Sequence, residues 1–84
     1  MLYDAAVIGA GPAGYSAAIN ARKRDKSVIV IGQHTGWLSK AEKIENYPGQ
    51  MVEGESGPSL IARMTEQAKK FGAERVSVVI KSVE

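Results

Sequence analysis

The sequence contains no cysteine and only one histidine among its 84 residues. Without cysteine, this stretch has no disulfide, no thiolate nucleophile and no C-x-x-C redox pair. The lone His34 is not surrounded by other residues at ligand-like spacing, so the sequence predicts no metal site. Residues 1–84 therefore contain nothing that performs dithiol chemistry, and we assign no catalytic residue.

Strong charge and long apolar runs are also missing. The formal net charge of +2 is too small to indicate a nucleic acid or a membrane surface as partner. No segment approaches the roughly 20 apolar residues that span a bilayer. The N-terminal run lacks the basic leader of a signal peptide and contains Asp4. We therefore expect a cytoplasmic globular domain that binds neither nucleic acid nor membrane.

The beginning of the chain has the pattern of a βαβ unit. Leu2–Ile8 and Ser27–Ile31 are apolar blocks typical of strands that are covered on both faces. Between them, small residues recur at spacings of three and four, which predicts a helix that ends near Arg24. The predicted apolar face of this helix comprises Ala13, Ala17, Ala18 and Ala21.

A glycine-rich segment and a second helix and strand follow. Residues 32–57 show few helical or strand patterns, and loops beyond about 15 residues in a compact domain usually bind a ligand. Pro58 fits the first turn of a helix that Gly72 terminates, and Arg75–Ile80 is the predicted third strand. The predicted apolar face of the second helix comprises Leu60, Ile61, Met64, Ala68 and Phe71. The acidic residues of the loop region have no partner at catalytic spacing and are interpreted as solvated: Glu42, Glu45, Glu53 and Glu55.

The order β-α-β-loop-α-β predicts an α/β fold with a parallel sheet and right-handed crossovers. This is a partial Rossmann-like three-layer fold, or one half of a doubly wound sheet. We therefore interpret residues 1–84 as a fragment of a longer protein.

The motif GAGPAG at residues 9–14 matches G-x-G-x-x-G between a predicted strand and a predicted helix. In this motif Gly9 permits a tight turn, Gly11 lets a pyrophosphate approach the main chain, and Gly14 lets the helix pack closely on the sheet. Pro12 and Ala13 begin the helix, whose N-terminal N–H groups and dipole favour phosphate. This context favours dinucleotide binding over a purely structural turn.

The ribose-binding position is unusual. A carboxylate near the end of the second strand usually holds a ribose hydroxyl, and this chain has none there. Gln33 and His34 follow the strand instead. Either side chain, or backbone amides, is a candidate for the ribose; for His34 the alternative is a solvent-facing loop histidine.

Three further motifs follow the glycine turn: GWL at residues 36–38, KIENYPG at residues 43–49 and MTEQAKKFGAE at residues 64–74. With these motifs the chain resembles the FAD-binding region of thioredoxin reductases and their low-molecular-weight relatives among the pyridine nucleotide-disulfide oxidoreductases. These motifs occur in the family's order and cover nearly the whole chain. ENYPG after a glycine-proline turn is far more specific than the turn alone.

The resemblance implies that the dinucleotide is FAD, with its ribitol and flavin along residues 36–38. Asn46 matches an asparagine that lies near the isoalloxazine ring, the alternative being a turn residue. The third strand around Val79 and Ile80 corresponds to the region beside the adenine. Trp37 stands where the family commonly has glutamine. Such departures occur among relatives that use other electron donors, so the resemblance does not identify the donor. The predicted cofactor-binding residues are therefore Gly9, Gly11, Pro12, Ala13, Gly14, Gln33, His34, Gly36, Trp37, Leu38, Asn46 and Ile80.

The resemblance also implies the activity of the parent protein. It is expected to be an FAD-dependent, thioredoxin reductase-like oxidoreductase that passes electrons from NADPH or another donor to a disulfide. The implied partners are a thioredoxin-like disulfide substrate, a ferredoxin-like protein as alternative donor, and a second copy in a homodimer. The basic run at residues 22–26 is a candidate docking patch for an acidic donor, but a solvated helix end is the favoured interpretation.

Two other interpretations remain for residues 1–84. The C-x-x-C pair, the NADPH-binding domain and the remainder of the FAD domain have no counterpart here, so we expect the 84-residue chain alone to be inactive. The first alternative is a non-enzymatic dinucleotide-binding module with no turnover. The second, an NAD(P)-dependent dehydrogenase half-domain, is disfavoured by ENYPG.

Overall fold

Strands and helices alternate along the chain in the predicted order. The computed structural model describes residues 2–34, 36 and 38–79. Its elements are strand β1 (Ala5–Ile8), helix α1 (Pro12–Lys23), strand β2 (Val28–Ile31), a 3-10 helix (Leu38–Lys40), helix α2 (Gly57–Lys70) and strand β3 (Glu74–Val76). The predicted α/β fold is confirmed.

The sheet is parallel, and β2 is its central strand. In one pairing Ala5 of β1 aligns with Val28, and in the other Arg75 of β3 aligns with Val30. Val28 and Val30 are fully buried, whereas Ile8, on the other face, is 51% exposed. Within the described part of the chain, the helices therefore cover one face of the sheet. The apolar pattern of the strands predicted that both faces are covered.

The core lies between the helices and that covered face. It consists of Ala10, Tyr15, Ala18, Val28, Val30, Ile61, Ala68 and Ala73. Ala18 is buried as predicted, but Ala13 and Ala17 are exposed. The reason is that α1 meets the sheet through Gly14, and Ala18 lies one turn further along the same side. Tyr15, the largest fully buried side chain, was not predicted to be in the core.

Both ends of α2 are marked by specific residues. Ser56 is the N-cap, and its hydroxyl accepts a hydrogen bond from the N–H of Ser59 at 3.2 Å. Gly72 follows the helix with a φ of +94°, which confirms its predicted role as terminator. Phe71 is 40% exposed rather than in the core, because it is the C-cap residue, beyond the last turn of the apolar face.

The outer strands are shorter than predicted. The predicted strand Arg75–Ile80 is wrong at its far end, because β2, with which β3 pairs in the described sheet, ends at Ile31. Gly32 turns away with a φ of +147° after its N–H donates to the carbonyl of Val76 at 3.0 Å. Residues 77–79 are not in a strand, and Ile80 lies outside the described residues. In the described ranges, neither helix combines the length and apolar character needed to cross a membrane.

Candidate dinucleotide-binding site

A cavity of about 410 Å³ lies where β1 and β2 end and α1 begins. We call it the strand-end cavity. Ligands of open α/β sheets bind at the carboxyl ends of the strands, where this cavity lies. It is lined by Gly9, Ala10, Gly11, Pro12, Gln33, His34, Gly36, Leu38, Ser39 and Ile61.

Most of the predicted cofactor residues meet at this cavity. Those that line it are Gly9, Gly11, Pro12, Gln33, His34, Gly36 and Leu38. Those that do not are Ala13, Gly14 and Asn46, while Trp37 and Ile80 lie outside the described residues. Sequence reasoning missed Ala10, Ser39 and Ile61. Ile61 belongs to the apolar face of α2, a pattern that indicates burial without distinguishing a core from a cavity wall.

The three motif glycines occupy different environments. Gly9 has a φ of +116°, as expected of a tight turn. A Cβ on Gly14 would lie 1.9 Å from the carbonyl oxygen of Gly9, so the predicted close packing of helix on strand is confirmed. A Cβ on Gly11 would meet nothing within 4 Å. Gly11 is therefore not required by internal packing, and the space beside it is open.

The N-terminus of α1 is left without a side-chain cap. Gly11 is the N-cap residue and has no side chain, Pro12 follows it, and the first turn contains no acidic residue. The first N–H groups of a helix have no partner within the helix and carry the positive end of its dipole. An anion in the strand-end cavity would satisfy these groups, so the site fits a pyrophosphate.

His34 is partly buried and contacts Tyr15. The Tyr15 hydroxyl and His34 Nε2 are 2.7 Å apart, and the two rings meet edge to face with centroids 5.9 Å apart. Burial, and then the positive charge of Arg75, lower the pKa of His34 below its ordinary value of 6.5. The shift favours the neutral form of the imidazole, and His34 is partly buried, with one hydrogen-bond partner in Tyr15. The neighbouring Gln33 is exposed.

Arg75 places a cation at the end of β2. Its Nη2 donates to the carbonyl oxygen of Gly32 at 3.1 Å, two residues before His34. None of the residues that line the strand-end cavity is acidic. An anionic ligand in this cavity would therefore meet no carboxylate in its walls.

The loop with Asn46 lies largely outside this cavity. Asn46 is exposed, and the nearby Lys43–Glu45 ion pair of 2.9 Å is two-thirds exposed on both sides. Tyr47, however, lines a groove of about 240 Å³ together with Pro12 and Tyr15. The loop therefore returns to the beginning of α1 without bringing Asn46 to the cavity wall.

A buried carboxylate anchors the end of the loop. Glu55 is 7% exposed, and it accepts hydrogen bonds from the Ser59 hydroxyl at 2.7 Å and from Arg63 Nη2 at 3.1 Å. Its backbone carbonyl accepts from the N–H of Ile44 at 2.7 Å. The interpretation of Glu55 as a solvated charge is therefore wrong, because its partners lie on α2, which begins two residues later.

The N-terminus of α2 packs directly on the 3-10 helix. A Cβ on Gly57 would lie 1.5 Å from the carbonyl oxygen of Leu38, and the Gly57 N–H donates to the carbonyl of Ala41 at 2.8 Å. Because Leu38 lines the strand-end cavity, Gly57 fixes one wall of the site from behind.

Comparison with known proteins gives a consistent result. The family model of the pyridine nucleotide-disulphide oxidoreductases matches residues 3–83. A thioredoxin reductase of Peptoclostridium acidaminophilum is 48% identical over 77 residues, which are 89% of this chain and 24% of that protein. The chain spans about a quarter of the length of this relative.

Solved structures of thioredoxin reductases contain the same fold. The thioredoxin reductase from Streptococcus pyogenes MGAS5005 superposes with a TM-score of 0.83 at 38% identity, over 98% of this chain and 27% of that chain. A ferredoxin-flavin thioredoxin reductase from Clostridium acetobutylicum gives a TM-score of 0.78 at 43% identity, over 95% of this chain and 28% of that chain.

Proposed function

Because the chain belongs to the pyridine nucleotide-disulphide oxidoreductase family, we propose that residues 1–84 are the N-terminal part of an FAD-binding domain. The parent protein would be a thioredoxin reductase-like flavoprotein. The observation that carries the proposal is the strand-end cavity, which has an uncapped helix N-terminus and an open space beside Gly11. Pyrophosphate is the anion that this geometry suits, as in other G-x-G-x-x-G turns.

Each part of the cavity is assigned one portion of FAD. Residues 9–14 would hold the pyrophosphate, and Gln33 or His34 the adenosine ribose. Gly36 and Leu38 would lie along the ribitol and flavin, with Asn46 nearer the ring system. Trp37 and Ile80 keep the roles predicted from the sequence. When bound, FAD supplies the electron transfer, and this chain supplies position and electrostatics.

The parent protein is proposed to pass electrons from NADPH or another donor to the disulfide of a thioredoxin-like protein. The likeness to a ferredoxin-flavin thioredoxin reductase at 43% identity supports a ferredoxin-like protein as the alternative donor. A homodimeric state and a cytoplasmic location of the parent protein are part of the same proposal.

A second candidate is a dinucleotide-binding module with no turnover. It is favoured by one observation: the chain has no cysteine, and His34 is the only titratable side chain that lines the strand-end cavity in the described ranges. In this case the geometry of the cavity is retained for binding alone.

The colour of the full-length protein tests the first proposal. The protein that carries this sequence should purify yellow with a flavin absorption spectrum. A colourless preparation that takes up no added FAD would contradict the proposal. Yellow protein that reduces no disulfide with any donor would favour the binding module instead.

The 84-residue chain alone is expected to bind FAD weakly or not at all, because it forms only part of the proposed site. Titration followed by flavin fluorescence checks this expectation. Tight stoichiometric binding would show that residues 1–84 contain the complete site.

A further inference from the structure

Residues 44–55, which include Asn46, form a loop whose two ends meet, and we call it the Asn46 loop. At its base the N–H of Ile44 donates to the carbonyl of Glu55 at 2.7 Å. Ile44 and Glu55 are both buried, so the base of the loop is fixed against the rest of the domain. Asn46 follows shortly after this base and is exposed. Its position relative to the strand-end cavity therefore depends on the main chain of the loop.

The side chain of Gln50 holds the inside of the Asn46 loop. Its Nε2 donates to the carbonyl of Ile44 and to the carbonyl of Val52, each at 2.8 Å. Because both partners are acceptors, the amide nitrogen must face them, and both of its hydrogens are used. The backbone N–H of Gln50 also donates to the carbonyl of Tyr47 at 3.1 Å. Gln50 is thus bonded to the main chain both before and after Asn46.

The turn at the far end of the loop adds to this constraint. Pro48 and Gly49 are its central residues, and Gly49 has a φ of +84°, which is the conformation that a type II turn requires there. Proline fixes its own φ, so the turn has little freedom of its own. Only two residues separate Ile44 from Tyr47. Once Gln50 holds both ends of this short stretch, Asn46 has little room to move.

We propose that Gln50 is a positioning residue for the flavin end of the dinucleotide site. Its side-chain amide holds the Asn46 loop closed, and this fixes where Asn46 lies relative to the isoalloxazine ring. The inference rests on the proposed function, in which Asn46 lies nearer the ring system of FAD. It adds a role for a residue that does not line the strand-end cavity and that acts through Asn46.

FAD and ADP are the matched probes, because ADP has the adenosine and pyrophosphate of FAD without its ribitol or isoalloxazine ring. Gln50→Met keeps the length of the side chain and removes both N–H donors. In the full-length apoprotein, this variant should raise the Kd of FAD about threefold or more and leave the Kd of ADP nearly unchanged. Calorimetric titration gives both values. An unchanged Kd of FAD, or an equal rise for both ligands, would overturn the inference.

Two further variants separate the lost hydrogen bonds from added charge. Gln50→Glu removes the same donors and places a carboxylate beside Glu45 and Glu53, which line the same groove, so the Kd of FAD should rise at least as much. Asn20→Asp makes the matched change on α1, where an exposed amide donates to a main-chain carbonyl at 2.8 Å. It should leave the Kd of FAD unaltered. If Asn20→Asp raises that Kd as much as Gln50→Glu does, the effect is general and the inference fails.

Asn46→Ala tests whether Gln50 acts through Asn46. When Gln50→Met is added to Asn46→Ala, the Kd of FAD should rise no further, because the group that Gln50 positions is already gone. Losses that multiply in the double variant would contradict the positioning role. A full-length protein that binds no FAD at all would contradict both the proposed function and this inference. Tight FAD binding that Gln50→Met does not weaken would contradict the inference alone.

Discussion

The two helices of this chain begin in opposite ways. At α1 the N-cap is Gly11, no side chain caps the first N–H groups, and a cavity lies in front of them. At α2 the Ser56 hydroxyl caps the helix, and the buried Glu55 accepts from Ser59 and Arg63. The N-terminus of α1 thus lacks a side-chain cap, and on the proposed function it binds an external anion, whereas the N-terminus of α2 is capped by a side chain of this chain.

On the proposed function, the N-terminus of α1 serves ligand binding, whereas the N-terminus of α2 serves stability. Closing the α2 end fixes the 3-10 helix through Gly57, and the 3-10 helix forms part of the cavity at the α1 end. Substitutions at α2 should therefore change the free energy of unfolding. Substitutions at Gly11 should change ligand affinity and leave stability nearly unaltered.

The largest effect is expected from Gly57→Ala. The new Cβ would lie 1.5 Å from a backbone oxygen, which has no flexible side chain to yield. We expect a loss of about 3 kcal/mol or more in the free energy of unfolding, measured with urea. Gly11→Ala is the matched control, because its Cβ meets nothing within 4 Å. Similar unfolding midpoints for the two variants would contradict the claim that Gly57 is required by packing and Gly11 is not.

Glu55→Ala should have the next largest effect. It leaves Arg63 and Ser59 without their shared acceptor, and because Arg63 is partly exposed we expect a loss of about 2 kcal/mol. Glu45→Ala removes the carboxylate of an exposed ion pair, and should cost less than about 0.5 kcal/mol. Equal losses in the free energy of unfolding for the two variants would mean that the burial of Glu55 contributes nothing to stability.

Ser56→Ala removes only the cap of α2. The expected loss is about 1 kcal/mol, in line with other N-cap serines. Urea unfolding again gives the value. FAD affinity of the folded variant should be unchanged, and a tenfold weaker affinity would show that the two helix N-termini are not independent.

A smaller, pH-dependent effect is expected at the α1 end. The pKa of His34 is lowered by burial and then by Arg75, so its contribution to stability is complete above pH 6.5 and is lost as pH falls through the lower folded-state pKa. The groups that face it are Tyr15 and Arg75. Unfolding midpoints of the wild type should fall more between roughly pH 7.5 and 5 than those of His34→Gln. If the unfolding midpoints of the two proteins changed equally with pH, the pH dependence would not come from His34.

The smallest effect on stability is expected from Gly11→Ser, which gives α1 a capping side chain like that of α2. Stability should rise by a few tenths of a kcal/mol at most. FAD affinity should fall, because the hydroxyl takes the N–H groups assigned to the pyrophosphate and its Cβ occupies the space beside them. Unchanged FAD affinity would mean that these groups do not bind the ligand.

Local patterns were enough to predict most of the elements. The glycine turn, the apolar strands and the helix terminated by Gly72 are each defined by residues close together in sequence, and the structure confirms them. The position of Gly14 against the Gly9 carbonyl follows from the same short motif.

The features that sequence reasoning missed depend on partners that are distant or unpredictable. Tyr15 and His34 are 19 positions apart, and their hydrogen bond depends on how α1 rests on β2. Glu55 is buried because α2 brings Arg63 over it. The length of β3 is limited by the end of β2, which no pattern within β3 itself reveals.

The most direct measurement is an amide-shift map of the 84-residue chain during FAD titration. If the α1 end is the anion site, the largest shifts will lie at residues 9–14 and at His34. The amides of residues 57–60, at the closed end of α2, will stay nearly unchanged, and Gly11→Ala will abolish the shifts without unfolding the chain. The largest shifts at residues 57–60 would contradict the claim that α1 is left open for a dinucleotide.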